Sequence, residues 1–234
     1  MTQRPQKVWI TRAQPGADAT AARVASLGHV PLVAPLLRVE ALRDVEVDLD
    51  GVGALAFTSA NGVRAFADLS PVRDLAVYAV GQATAKAARE VGFRRVLSTD
   101  GDVAALAQGI AARRTEIRGA VLHPSAEEPA GDLAGALAEW NVPVRRLVVY
   151  ATRPSPVDEA IAAAVAQADV ALVHSPRGAQ ALAEVLAQHP SPSLRVAGLS
   201  RAVLEPLAET PLGAKVFAPL PLEAALLNLI EREP

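Results

Sequence analysis

Ser59 in "LAFTSANGVRAF" (Leu55 to Phe66) and Ser175 in "ALVHSPRGAQALAEVL" (Ala171 to Leu186) occupy the same kind of junction. In both, an apolar run drops into small polar residues and a helical pattern then resumes. A serine there has two uses. Its oxygen can accept from an amide that the first helical turn leaves open, a contribution of about 1 kcal/mol. The same amides, with the hydroxyl, can instead hold a carboxylate or phosphate at the positive end of the helix. Arg12, Arg64, Arg153, Arg177 and Arg201 all fall at or just after the ends of strand-like runs. Guanidinium groups so placed can pair with carboxylates, although ordinary solvated arginine is the competing use. Tyr150, one of 2 tyrosines, stands in "VVYATR" and is either a packed aromatic or a hydroxyl turned toward a ligand. Taken together, these residues favour an anionic small molecule as ligand.

Other chemistries lack their residues. The chain has no cysteine, hence no disulfide framework and no thiol nucleophile. His29, His123, His174 and His189 do not form a spaced metal set, and no metal is expected. The glycines of "ANGVRAF" and "AVGQATA" make neither GxGxxG nor a phosphate loop, so no nucleotide cofactor is assigned. No Gly-x-Ser-x-Gly elbow is present, which makes Ser59 and Ser175 poor nucleophiles. A formal net charge of -2 and an aromatic content of 3% argue against a nucleic-acid surface.

The elements that must position these residues alternate regularly. Strand-like runs occur at Val8 to Thr11, Val30 to Leu37, Ala54 to Ser59, Leu75 to Gly81, Arg94 to Ser98 and Gly119 to Ser125. They continue at Val144 to Thr152, Ala168 to Ser175, Leu194 to Ser200 and Ala214 to Leu220. Between most of them lie Ala- and Leu-rich segments with helical spacing, such as "ADATAARVASLG". Continuous apolar strands alternating with helices imply parallel sheet covered on both faces, an α/β fold. The apolar runs are too short and too often broken to cross a bilayer. The start "MTQRPQKVWI" does not read as a signal peptide, so the expected location is cytoplasmic.

The order of these units also repeats. Val8 to Glu40 reads strand, elbow, helix, strand, as does Ala120 to Arg153. "LAFTSANGVRAF" then answers "ALVHSPRGAQAL", "VYAVGQATAKAA" answers "RVAGLSRAVLEP", and "STDGDVAALAQGI" answers "APLPLEAALLNLI". Four matches in one order imply an internal duplication, and two similar lobes would enclose a cleft. "LLRVEAL" (Leu36 to Leu42) and "VVYATRP" (Val149 to Pro154) close matching units, and each leads into the next half.

These motifs, together with "ITRAQPGA", "PLVAPLLRVE" and "VFAPLPLEAALL", resemble the uroporphyrinogen-III synthase family and cover nearly the whole chain in order. The resemblance implies two similar α/β lobes of parallel β-sheet flanked by helices and joined by a two-stranded bridge. One lobe would comprise residues 1–35 with 153–234, the other residues 42–147, and the bridge residues 36–41 and 148–152. It further implies a cyclising lyase acting on hydroxymethylbilane, a linear tetrapyrrole with eight carboxylates, without cofactor. The terminal hydroxyl leaves as water and the macrocycle closes with its last pyrrole ring inverted, through a spiro-pyrrolenine. Tyr150 corresponds to the family's bridge tyrosine, the favoured acid for the departing hydroxyl. Thr11, Arg12, Ser59, Gly81, Thr84 and Ser175 map to the substrate cleft, with Arg64, Arg153 and Arg177 as further candidates.

Two departures from the family pattern stand out. "LHPSAEEPAGDL" (Leu122 to Leu133) places Glu127 and Glu128 where a basic residue is often seen. "AGLSRAVL" puts Ser200 and Arg201 in place of small hydroxyl residues, and Arg201 would compensate electrostatically. The resemblance also implies a monomer supplied by hydroxymethylbilane synthase, with no nucleic-acid or membrane partner. A non-catalytic two-lobed binding protein or sensor for an anionic small molecule is the alternative reading.

Overall fold

The computed structural model describes residues 4–129 and 131–231. In chain order the elements are β1 (Lys7–Ile10), α1 (Gly16–Ser26), β2 (Val30–Val33), β3 (Leu37–Ala41), β4 (Val52–Phe57), α2 (Ala60–Leu69) and β5 (Ala76–Ala79). They continue with α3 (Gln82–Glu90), β6 (Val96–Ser98), α4 (Val103–Ala111), β7 (Ala120–Ala126), α5 (Leu133–Ala138) and β8 (Val144–Pro154). The chain ends with α6 (Glu159–Gln167), β9 (Val170–Val173), α7 (Pro176–Gln188), β10 (Arg195–Gly198), β11 (Ala214–Phe217) and α8 (Glu223–Leu227). It forms two compact units, Met1–Arg38 with Arg153–Pro234, and Val39–Thr152.

The first unit holds a parallel sheet in the order β11-β10-β9-β1-β2. Side chains alternate across a strand, and the core divides accordingly. Val8, Ile10, Val170 and Leu172 pack on one face with Leu226, Leu227 and Ile230. Trp9, Ala171 and Val173 pack on the other with Ile161, Leu182 and Leu186. Because both faces are covered, β9 is buried along its whole length, and that explains its unbroken apolar sequence. Pro31 is tolerated in β2 because that strand lies at the sheet edge.

The second unit is built the same way. Its sheet runs β3-β8-β7-β4-β5-β6, with β8, β7, β4, β5 and β6 pairing in parallel. Ala54, Ala56, Tyr78 and Val121 face Leu106, Ile110, Leu133 and Leu137. Leu55, Phe57, Val77 and Leu122 face Phe66 and Phe93, with Phe57 and Phe66 edge to face at 5.9 Å. β3 and β8 lie side by side, and Leu36 pairs with Ser155 as Leu42 pairs with Val149, an antiparallel register.

The duplication is visible in the sheet orders. Substituting β7 and β8 for β1 and β2, and β4, β5 and β6 for β9, β10 and β11, converts the first order into the order of the second sheet without β3. Each unit therefore combines strands from both halves of the repeat. Two sequence expectations change. The run from Val30 to Leu37 is two strands, interrupted where Pro35 has no amide to donate. "RAVLEPL" forms a 3-10 segment, Ala202–Leu207, with Pro206 inside it, where its repeat counterpart α3 is an α-helix.

Candidate active site

In each sheet the chain moves outward in both directions from one pair of strands, β1 and β9 in the first unit and β4 and β7 in the second. Ligands of open parallel sheets settle outside the carboxyl ends of strands at such a reversal. Ile10 is level with Leu172 across β1 and β9, which brings Thr11 and Arg12 beside His174 and Ser175. Leu55 is level with Leu122 across β4 and β7, which brings Thr58 and Ser59 to the equivalent place.

At the first reversal the polar groups are tightly organised. Thr11 is 1% exposed and its Oγ1 donates to the Leu172 carbonyl at 2.6 Å, so its hydroxyl ties β1 to β9. Ser175 is the N-cap of α7 and accepts from the Gly178 amide at 3.1 Å. Arg12 donates from Nη1 to Glu223 Oε2 at 2.8 Å and, more weakly, to Thr20 Oγ1 at 3.4 Å. Thr20 also donates to Glu223 Oε1, and Arg23 Nη1 stands 3.7 Å from that oxygen. Burial alone would raise the Glu223 pKa, but the Thr20 hydrogen bond and the Arg12 charge hold it below the usual carboxylate value. His174 Nε2 lies 3.8 Å from Glu223, and burial with Arg12 nearby lowers its pKa to about 4. The imidazole is therefore neutral at pH 7.

The second reversal is less charged. Ser59 caps α2 by accepting from the Asn61 amide at 3.1 Å. His123, 3% exposed, lies 3.2 Å from Thr58 Oγ1, and burial with Arg146 nearby lowers its pKa to about 4. Arg146 is exposed and reaches along the strand pair, donating to Ser125 Oγ and to the carbonyls of Ala126 and Glu127. His123 and Arg146 line a cavity of about 440 Å³ with Asp132, Leu133 and Val144. Gly81 precedes α3 in extended backbone, and a methyl there would meet nothing within 4 Å. Neither backbone nor packing requires glycine, and the lack of a side chain leaves the α3 elbow open. Thr84 is buried in the first turn of the same helix.

The remaining candidates are more dispersed. Tyr150 is 8% exposed, its ring packed with Ala65 and Val149 and against Leu69 and Leu147. Its backbone is fixed by the Glu127 amide, which donates to the Tyr150 carbonyl at 2.8 Å. Arg64 is exposed on α2, and Arg201 is exposed at the start of the 3-10 segment beside half-buried Ser200. Arg153 and Arg177 are half-buried and engaged in interactions within the protein. Glu223, Thr20 and His174 were not selected by sequence reasoning. Glu223 is 211 positions from Arg12, and no local pattern signals their pairing. A faint signal does exist in the repeat, where Glu223 aligns with apolar Val103. Among the described residues no group of three or more His, Cys, Asp or Glu is arranged to hold a metal ion, and no helix is long and apolar enough to cross a membrane.

Comparison with known proteins places this architecture. The family model for uroporphyrinogen-III synthase HemD matches residues 18–228. Uroporphyrinogen-III synthetase from Helicobacter pylori 26695 is similar over 97% of this chain and 98% of its own, with 18% identity and a TM-score of 0.66. A mutant uroporphyrinogen III synthase from the extremely thermophilic bacterium Thermus thermophilus is similar over 96% of this chain and 97% of its own, with 20% identity and a TM-score of 0.52. No curated protein matches significantly. The structural likenesses carry the fold and the family model carries the kinship over most of the length: this chain belongs to the uroporphyrinogen-III synthase family.

Proposed function

We propose that this cyclising lyase closes hydroxymethylbilane to uroporphyrinogen III by holding the chain ends in the rearranging geometry, with Tyr150 as the acid that protonates the departing hydroxyl. Membership of the family over residues 18–228 carries the assignment of the reaction. The alternative, a binding protein without turnover, is disfavoured by the same match. An electron-rich pyrrole expels water once its hydroxyl is protonated, giving an azafulvene. The substituted α-carbon of the last ring attacks that electrophilic methylene, forming the spiro-pyrrolenine. The older bond from this carbon to its methylene then breaks, and the released methylene is captured by the ring's other α-carbon, which loses its proton and leaves the ring inverted. Positioning is the main demand, because simple closure of the same intermediate gives the other isomer.

The carboxylates of the substrate are assigned to the elbows of both units: Thr11, Arg12, Ser175, Arg177, Ser200, Arg201 and Arg153 in one, and Ser59, Arg64, Gly81 and Thr84 in the other. Residues 36–41 and 148–152 serve as the bridging strands. The two capping serines accept from elbow amides and keep their hydroxyl protons to donate to a substrate carboxylate, whereas the Thr11 proton is committed to the Leu172 carbonyl. The openness of the Gly81 elbow supports an approach there. We place the protein in the cytoplasm as a monomer supplied by hydroxymethylbilane synthase, since a substrate that closes spontaneously to the wrong isomer benefits from direct supply. Comparison of Tyr150→Phe with the parent chain, by rate and by isomer composition, tests the catalytic assignment. A slower enzyme that still favours isomer III supports it, and an unchanged rate removes Tyr150 from the mechanism.

A further inference from the structure

Arg12 is held on one edge only. Its Nη1 is committed to Glu223 and Thr20, while Nε and Nη2 make no hydrogen bond among the described residues and are not buried. Those two nitrogens form the edge of a guanidinium that matches a carboxylate with two parallel hydrogen bonds. The group is also seated against backbone. A methyl placed on Gly16 would lie 2.6 Å from Arg12 Nε and 2.8 Å from both Cζ and Nη2, so the guanidinium occupies the space that a side chain at position 16 would need. Charge points the same way, because among the described residues Glu223 is the ion-pair partner of both Arg12 and Arg23, and His174 carries no charge at neutral pH. The cluster keeps a positive excess at the carboxyl ends of β1 and β9, where the strand order reverses.

We propose that the Nε–Nη2 edge of Arg12 is a two-point site for one carboxylate of the substrate, and that Glu223, Thr20 and Gly16 are positioning residues that aim it. The proposal rests on the synthase reading for the identity of the ligand. Glu223 fixes the fork in advance of binding, so the substrate does not have to order a long, flexible cation. It follows that a residue bearing a carboxylate, Glu223, strengthens the binding of an anion.

Two readouts test this on the full-length chain: KM and kcat for isomer III formation, and equilibrium binding of uroporphyrin III, an octacarboxylate, followed by its fluorescence. Arg12→Lys keeps the charge but loses the fork, and should weaken both KM and porphyrin binding about tenfold. Glu223→Gln should weaken both by several-fold while kcat changes little, since it frees Arg12 without touching the reacting ring. Gly16→Ala displaces the flexible end of Arg12 rather than backbone, so the same loss should appear with a nearly unchanged thermal midpoint. Folded Glu223→Gln and Gly16→Ala proteins with parental KM and porphyrin affinity would overturn the proposal while leaving the synthase assignment standing. A parent chain that makes no isomer III, yet loses porphyrin binding in these variants, would sustain the carboxylate fork and remove the synthase assignment.

Discussion

Replacing His123 with glutamine should flatten the acid limb of the stability curve. The His123 imidazole is buried under the second sheet, and burial with Arg146 nearby lowers its pKa from 6.5 to about 4. Between those values the unfolded chain holds a proton that the native chain does not. Stability therefore rises with pH across this window: the contribution is fully present above 6.5 and is lost as pH falls toward 4. A shift of this size corresponds to about 3 kcal/mol in total, of which about 2 kcal/mol is lost by pH 5. Glutamine can still meet the Thr58 hydroxyl but does not titrate. Urea unfolding of parent and His123→Gln at pH 7.5 and pH 5.0 would show the parent losing about 2 kcal/mol more than the variant between the two conditions. Equal losses in the two proteins would refute the claim that the buried imidazole stays neutral there.

Other expectations follow from the same geometry. Tyr150→Phe should lower kcat about a hundredfold, the low end for general acid catalysis, while leaving the thermal midpoint close to the parent's, because the ring that packs with Ala65 and Val149 is retained. Ser59→Ala and Ser175→Ala should each cost about 1 kcal/mol in urea unfolding through the lost cap; a raised KM as well would show that the serine hydroxyls also meet substrate. Gly81→Ala should raise KM with stability unchanged or slightly improved, since the added methyl meets no protein atom within 4 Å and the residue sits in extended backbone. An unchanged KM would remove that elbow from the site.

The sheets were legible because burial on both faces forces long apolar runs. "LAFTS" and "ALVHS" each announce a central strand and the elbow after it, although β4 and β9 end at Phe57 and Val173, before the expected ends at Ser59 and Ser175. The repeat was legible too, since its two copies keep the order of strands, elbows and helices. Within the run from Val30 to Leu37, hydropathy does not distinguish one strand from two that belong to different sheets. Pro35 was the available sign of the break. The second copy of α3 departs for a similar reason, as Pro206 cannot supply an amide to an α-helical ladder.

At the site, sequence identified residues by their place in the chain but not by their partners. Arg12 was legible from its position after a strand, whereas its ion pair with Glu223 arises only when α8 returns to the start of the chain. His174 and His123 showed in the sequence only as histidines outside any metal spacing, which leaves packed and solvent-facing positions equally open, and the fold places both in largely buried surroundings. Burial is the larger cause of their lowered pKa values, and cations from distant segments add to it, Arg12 in one case and Arg146 in the other. Tyr150 illustrates the opposite limit, with the role coming from family resemblance and the structure giving the packing of the ring.

The central claim is tested most directly by generating hydroxymethylbilane in place, adding this chain, oxidising the products and separating the uroporphyrin isomers. Isomer III should predominate in proportion to the amount of folded protein added. Isomer I at the spontaneous level, from protein shown to be folded, would contradict it.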